Sequence, residues 1–152
     1  MSQLRICLVS SSGGVLQDMA ALRPWWERHQ RTWVSVPAPD TTVVLAGERV
    51  VWRPERSAGS LLRLPHSLVD AYRVLRRERP DVVVSAGTGV AVGFFVVAKL
   101  LRVPTVWLET LNMVATPGLA SRACMRAANV VLVQRPELLA TRRRSVLVGQ
   151  LY

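Results

Sequence analysis

Lysine is almost missing from this chain: of 20 basic side chains in 152 residues, every one but Lys99 is arginine. A phosphate-binding loop of the P-loop kind, which needs a lysine beside its glycines, is therefore excluded. Cysteine is scarce too. Cys7 and Cys124 are too few for a disulfide-dense secreted scaffold, so a reducing compartment is expected. The two histidines, His29 and His66, share no metal-ligand spacing with each other or with the cysteines; both read as surface residues, and no metal site is expected. Long apolar runs are also absent. The longest uncharged stretch, Val82 to Ala98, is broken by Gly87, Gly89 and Gly93 and reads as strand, turn and helix, not as a membrane span. Ile6 to Val9 is too short to be the apolar centre of a signal peptide, which points to a cytoplasmic protein.

What is present suits one globular domain over residues 1–152. Half the residues are apolar against 20% charged, a balance that excludes disorder. The ten acidic residues leave a formal net charge of +10, which favours anionic partners without choosing among phosphates, nucleic acid and an acidic membrane face.

Strands and helices alternate along the chain. Leu4 to Val9 is a nearly continuous apolar run, as expected of a parallel strand covered on both faces. Ser10-Ser11-Ser12-Gly13-Gly14 turns the chain into a helix marked by Val15, Leu16, Met19, Ala20 and Leu22. Trp33 to Val36 reads as a second strand. Asp40 or Thr41 is then placed to cap a short helix through Leu45 to Gly47, before a third strand over Arg49 to Trp52. From Leu61 onward, Leu64, Leu68, Ala71, Tyr72 and Leu75 form an apolar stripe opposite Arg73, Arg76, Arg77 and Arg79, and Pro80 ends that helix. Asp81 to Ser85 is the clearest strand. It leads through Ala86-Gly87-Thr88-Gly89 into a helix to Leu101, then a strand over Thr105 to Leu108. A helix over Ala120 to Ala127 and strands over Val130 to Val133 and Ser145 to Val148 complete the pattern. Such alternation with short connections predicts an α/β, Rossmann-like, doubly wound parallel sheet with ligands beyond the carboxyl ends of the strands.

Three segments fall on that edge. Ser12, Gly13 and Gly14 open a helix and bring backbone N–H groups toward an anion, although a plain tight turn uses the same residues. Gly87, Thr88 and Gly89, with Gly93 and Glu109 further on, imitate a dinucleotide fingerprint whose third glycine is displaced by one position. Glu109, Thr110 and Asn112 form a polar cluster after an apolar strand, where a carboxylate suits sugar hydroxyls or proton transfer, or merely caps a helix. Away from the edge, Trp25 and Trp26 lie among Arg23, Arg28 and Arg31, a mixture suited to an anionic bilayer surface and equally to core packing for one Trp.

In their order, Ser11-Ser12-Gly13-Gly14, Leu45-Ala46-Gly47-Glu48-Arg49-Val50, Pro80-Asp81-Val82-Val83-Val84-Ser85-Ala86-Gly87-Thr88-Gly89, Glu109-Thr110, Val133-Gln134-Arg135-Pro136 and Val148-Gly149 resemble the Alg-fourteen-like family, including PssD-type exopolysaccharide proteins. That resemblance implies the N-terminal, acceptor-binding half of a split GT-B glycosyltransferase. A separate donor-binding subunit would hold the UDP-sugar, and the acceptor would be a polyprenyl-(pyro)phosphate-linked glycan at the inner face of the cell membrane. Association with the membrane would be peripheral, and no cofactor is implied beyond the donor sugar nucleotide. Gly13, Gly14, Gly87, Thr88, Gly89 and Glu109 carry over by position as the site. Relatives commonly place histidine after the paired glycines, whereas this chain has Val15, so a histidine-based mechanism does not transfer. The implied chemistry is an inverting transfer through an oxocarbenium-like transition state, helped mainly by positioning and charge stabilisation.

Two other functions remain open at this level. An NAD(P)-binding oxidoreductase rests on Gly87, Gly89 and Glu109. A nucleic-acid-binding protein rests on charge alone, without a recognised motif, and nucleic acid is not an expected partner.

Overall fold

In the computed structural model, residues 2–54, 64–87, 89–110, 118–140 and 144–149 are described. They contain one seven-stranded sheet in the order β3-β2-β1-β4-β5-β6-β7, with every neighbouring pair parallel. The strands are β1 (Arg5–Val9), β2 (Gln30–Ser35), β3 (Val50–Trp52), β4 (Val82–Ser85), β5 (Thr105–Leu108), β6 (Val130–Val133) and β7 (Ser145–Leu147). The helices are α1 (Gly14–Ala21), α2 (Arg23–Trp26), α3 (Pro39–Val44), α4 (Leu64–Glu78), α5 (Gly89–Leu100) and α6 (Leu119–Ala127), and Pro136–Leu138 forms a single 3₁₀ turn.

Alternation along each strand sends side chains to two apolar layers. Ile6, Leu8, Trp33, Val84 and Leu108 pack with Leu16, Met19, Trp26 and Leu45 from α1, α2 and the end of α3. Cys7, Val9, Val34, Val83, Trp107 and Val131 face the other way, against Ala71, Val74, Leu75, Phe94, Phe95 and Cys124 from α4, α5 and α6. Helices thus cover both faces, and the central strands need apolar side chains throughout, which is why they read as continuous hydrophobic runs. Burial pushes the Cys7 and Cys124 thiols up to about 12, Cys7 with a further push from the Glu78 carboxylate.

Several boundaries differ from expectation. β2 begins at Gln30, three residues before Trp33, because the polar Gln30, Arg31 and Thr32 lie opposite Arg5, Ile6 and Cys7 in the ladder. A short helix over Arg23–Trp26, with Pro24 in its first turn, was not legible from periodicity. α3 starts at Pro39, so neither Asp40 nor Thr41 is its cap residue; Thr41 Oγ1 instead accepts the Ala38 N–H at 2.9 Å. His29, expected at the surface, is buried, and its Nδ1 accepts the Leu4 N–H at 3.3 Å. At the edge where the strands begin, Arg79, directly after α4, and Arg102, two residues after α5, take left-handed conformations (φ 47° and 58°) that glycine usually fills at helix ends.

Candidate functional site

The strand order reverses between β1 and β4, which is where an open α/β sheet leaves a crevice. Val9 and Ser85 are paired across this switch, so the turns that leave them are neighbours. Val9 also pairs with Val34 of β2, and Ser85 with Trp107 of β5. One edge therefore presents, in order, the segment after β2 with Asp40, the Ser10–Gly14 turn, the Ala86–Gly89 turn and the Glu109–Thr110 segment. The predicted site segments do come together, with the β2–α3 connection added beside them. Thr88 and Asn112 lie outside the described residues.

Serine hydroxyls in these turns are directed inward. Ser10 Oγ donates to the Ser11 carbonyl at 2.8 Å and Ser11 Oγ to the Ser12 carbonyl at 3.2 Å. The Gly87 N–H donates to Ser85 Oγ at 3.3 Å, closing the second turn on itself. Such short-range bonds satisfy buried polar groups and stiffen the loops.

Gly13 has φ 74°, a left-handed value open to glycine, and precedes the first residue of α1. Its N–H does not face an open anion cradle: it donates to Asp40 Oδ2 at 2.7 Å. That contact revises the expectation of a phosphate held by the Gly13 amide, since a carboxylate of the chain itself occupies it.

Two glycines of the dinucleotide-like pattern have packing reasons. A Cβ on Gly87 would stand 3.1 Å from Cγ2 of Val15, and one on Gly93 would stand 2.7 Å from Ser67 Oγ and 3.2 Å from the Ser67 carbonyl oxygen. The first glycine lets the two edge turns close on each other, and the second lets α5 lie against α4. Gly89 is the first residue of α5.

Glu109 is 3% exposed and Thr110 is buried. The Glu109 backbone is fixed by its N–H to the Leu132 carbonyl at 2.9 Å and by Gln134 Nε2, which donates to its carbonyl at 3.2 Å. The residue is thus anchored through its backbone and buried at the edge.

Trp26 does not sit at the surface as a membrane contact. It belongs to the core, donates from Nε1 to the Met19 carbonyl at 2.9 Å, and meets Trp33 edge to face. The Arg31 guanidinium lies 4.9 Å from its ring centre while gripping Glu48 with two bonds of 2.7 Å, which raise the Arg31 pKa further. Trp25 is half-buried against His29, Arg23 pairs with Glu27, and Arg28 is exposed. Among the described residues, no group of three or more His, Cys, Asp or Glu is placed to hold a metal, and no helix is long and apolar enough to cross a membrane.

No family model matches the chain. Over 83 residues, 55% of this chain, it is 31% identical to the UDP-N-acetylglucosamine--N-acetylmuramyl-(pentapeptide) pyrophosphoryl-undecaprenol N-acetylglucosamine transferase of Staphylococcus aureus, and the match covers 22% of that relative. Among solved structures it is similar to Acinetobacter baumannii MurG, with a TM-score of 0.75 and 18% identity, covering 95% of this chain and 45% of that one. UDP-N-acetylglucosamine 2-epimerase from Rickettsia bellii superposes with a TM-score of 0.74 at 11% identity, covering 99% of this chain and 46% of that one. The chain spans less than half the length of these proteins. Its fold is the Rossmann-like fold of the N-terminal half of GT-B proteins such as MurG.

Proposed function

We propose that this chain is the acceptor-facing half of a glycosyltransferase that moves a sugar from a UDP-sugar to a polyprenyl-(pyro)phosphate-linked glycan. The observation that carries the reading is the 31% identity over 83 residues to a transferase named for a pyrophosphoryl-undecaprenol acceptor. The fold of a GT-B half agrees with it. In this reading a donor-binding subunit on a separate polypeptide closes over the sheet edge between β1 and β4 and supplies the UDP-sugar. The edge then positions the acceptor, and closure excludes water from the reacting atoms.

A membrane role fits the outer surface of α4, α5 and α6 better than the Trp25–Trp26 turn. That surface exposes Val69, Tyr72, Val96, Leu100 and Leu119, and around them Arg73, Arg76, Arg77, Lys99, Arg122 and Arg126. The three helices carry no exposed acidic residue among those described. Apolar side chains set among mostly positive ones, with Asp70 and Glu78 half-buried, are what an anionic headgroup layer attracts.

The test is reconstitution. The chain is co-expressed and co-purified with candidate donor-half polypeptides of GT-B type and mixed with membrane extract and a panel of labelled UDP-sugars. Label is expected in the lipid fraction only when both polypeptides are present. Full transfer by this chain alone, or no transfer by the pair with any donor, overturns the reading.

A further inference from the structure

The carboxylate that fills the first turn has a specific support. Asp40 is the second residue of α3, behind Pro39, and the buried Thr41 hydroxyl beside it bridges the Ala38 N–H at 2.9 Å and the Val36 carbonyl at 2.8 Å. Backbone and side chain are thereby both held, the side chain by the 2.7 Å bond from Gly13 to Oδ2. Asp40 is half-buried, and among the described residues its Oδ1 accepts no hydrogen bond.

This arrangement selects between ligand chemistries. A phosphate lodged against the α1 turn would meet Asp40, and two like charges about 4 Å apart repel, more strongly near a protein surface than in water. An alcohol instead donates to the free oxygen in a charge-assisted hydrogen bond. The neighbouring candidates cannot take that part: Val15 has no proton acceptor, and Glu109 is 3% exposed.

We propose that Asp40 receives the acceptor's hydroxyl at the α1 turn, orients it and takes its proton as the glycosidic bond forms, an inference that rests on the glycosyl-transfer reading above. In that step the acceptor oxygen bonds to the anomeric carbon of the nucleotide sugar. The bond from that carbon to the diphosphate oxygen breaks, and its electron pair leaves with the nucleoside diphosphate. The hydroxyl proton passes to Asp40 Oδ1 and afterwards to water, while Gly13 keeps Oδ2 in place.

Asp40→Asn tests this, because the amide oxygen still accepts from Gly13 while the base is gone. In the two-polypeptide transfer assay, kcat is expected to fall by roughly 10²–10⁴-fold with KM little changed. Asp40→Glu is expected to restore part of kcat. An Asp40→Asn enzyme within about tenfold of wild type overturns the proposal. A second measurement needs no turnover: the Gly13 amide resonance is followed by NMR as glucose, N-acetylglucosamine or inorganic pyrophosphate is added to the chain. The sugars are expected to move it in the wild type and not in Asp40→Ala. A Gly13 resonance that ignores the sugars, or that saturates with pyrophosphate, overturns the role of Asp40. Failure of wild-type transfer counts instead against the glycosyltransferase reading, and the amide titration still judges Asp40.

Discussion

Val15 and Gly87 bring the two edge turns into close contact: a Cβ at residue 87 would fall 3.1 Å from Val15 Cγ2, tighter than an ordinary van der Waals contact. Val15 supplies a packing contact across the β1–β4 switch. Valine on a helix has one strongly preferred rotamer and cannot swing away from a new methyl group.

Gly87→Ala is therefore expected to destabilise the fold by about 1 kcal/mol, and Val15→Ala to remove most of that penalty. A denaturant-unfolding cycle over the four proteins would read a coupling of at least about 0.5 kcal/mol. Additive single effects would show that the turns do not press on each other.

Gly93→Ala tests the seam between α4 and α5. Helix propensity alone favours alanine by about 1 kcal/mol, but the new methyl would meet Ser67 Oγ at 2.7 Å and the Ser67 carbonyl oxygen at 3.2 Å. The backbone contact should win, with a net loss of about 1–2 kcal/mol in urea unfolding. Ser67→Ala should recover only part of it, because the carbonyl stays where it is.

Stability should fall at high pH through the two thiols. Burial holds Cys7 and Cys124 protonated up to about 12, against 9.0 for a free thiol. Below the free value both states keep their protons and nothing changes. Above it the unfolded chain ionises first, so the stabilising contribution declines between about pH 9 and about pH 12, with a slope approaching 2.7 kcal/mol per pH unit for two thiols. The double Cys→Ala variant should lose this component, and native protein at pH 8 should resist a thiol reagent that labels both cysteines in denaturant.

The basic face of α4 to α6 makes a prediction about membranes. Co-sedimentation with phosphatidylglycerol vesicles should weaken in Arg73→Glu/Arg76→Glu/Arg77→Glu by roughly a hundredfold or more, at about 1 kcal/mol per basic residue at the surface. Added salt should act in the same direction. Arg28→Glu, on the opposite layer, should leave binding unchanged; a loss there and not in the triple variant would return the membrane role to the α2 turn.

The architecture was readable because its causes are local. Central parallel strands must be apolar on both faces, so Ile6 to Val9 and Val82 to Val84 announce themselves, and Pro80 and the paired glycines mark where the chain turns. The bringing together of the β1, β4 and β5 turns followed from the alternation of strands and helices. What escaped depends on contacts between distant positions. Asp40 looks like any first-turn acid until Gly13, 27 residues earlier, is found on its oxygen. His29 and Trp26 carry polar atoms that suggest exposure, and only the Leu4 amide and the Met19 carbonyl reveal how burial satisfies them. The α2 turn has no period to detect in four residues.

Arg79 and Arg102 bend backward at the rim where strands enter the sheet, far from the turns that would handle a sugar. A left-handed arginine sacrifices on the order of 1 kcal/mol that a glycine would keep. The molecule thus carries slack at the rim opposite the candidate site, and a sturdier specimen for crystallography or spectroscopy is reachable there without touching that site's residues.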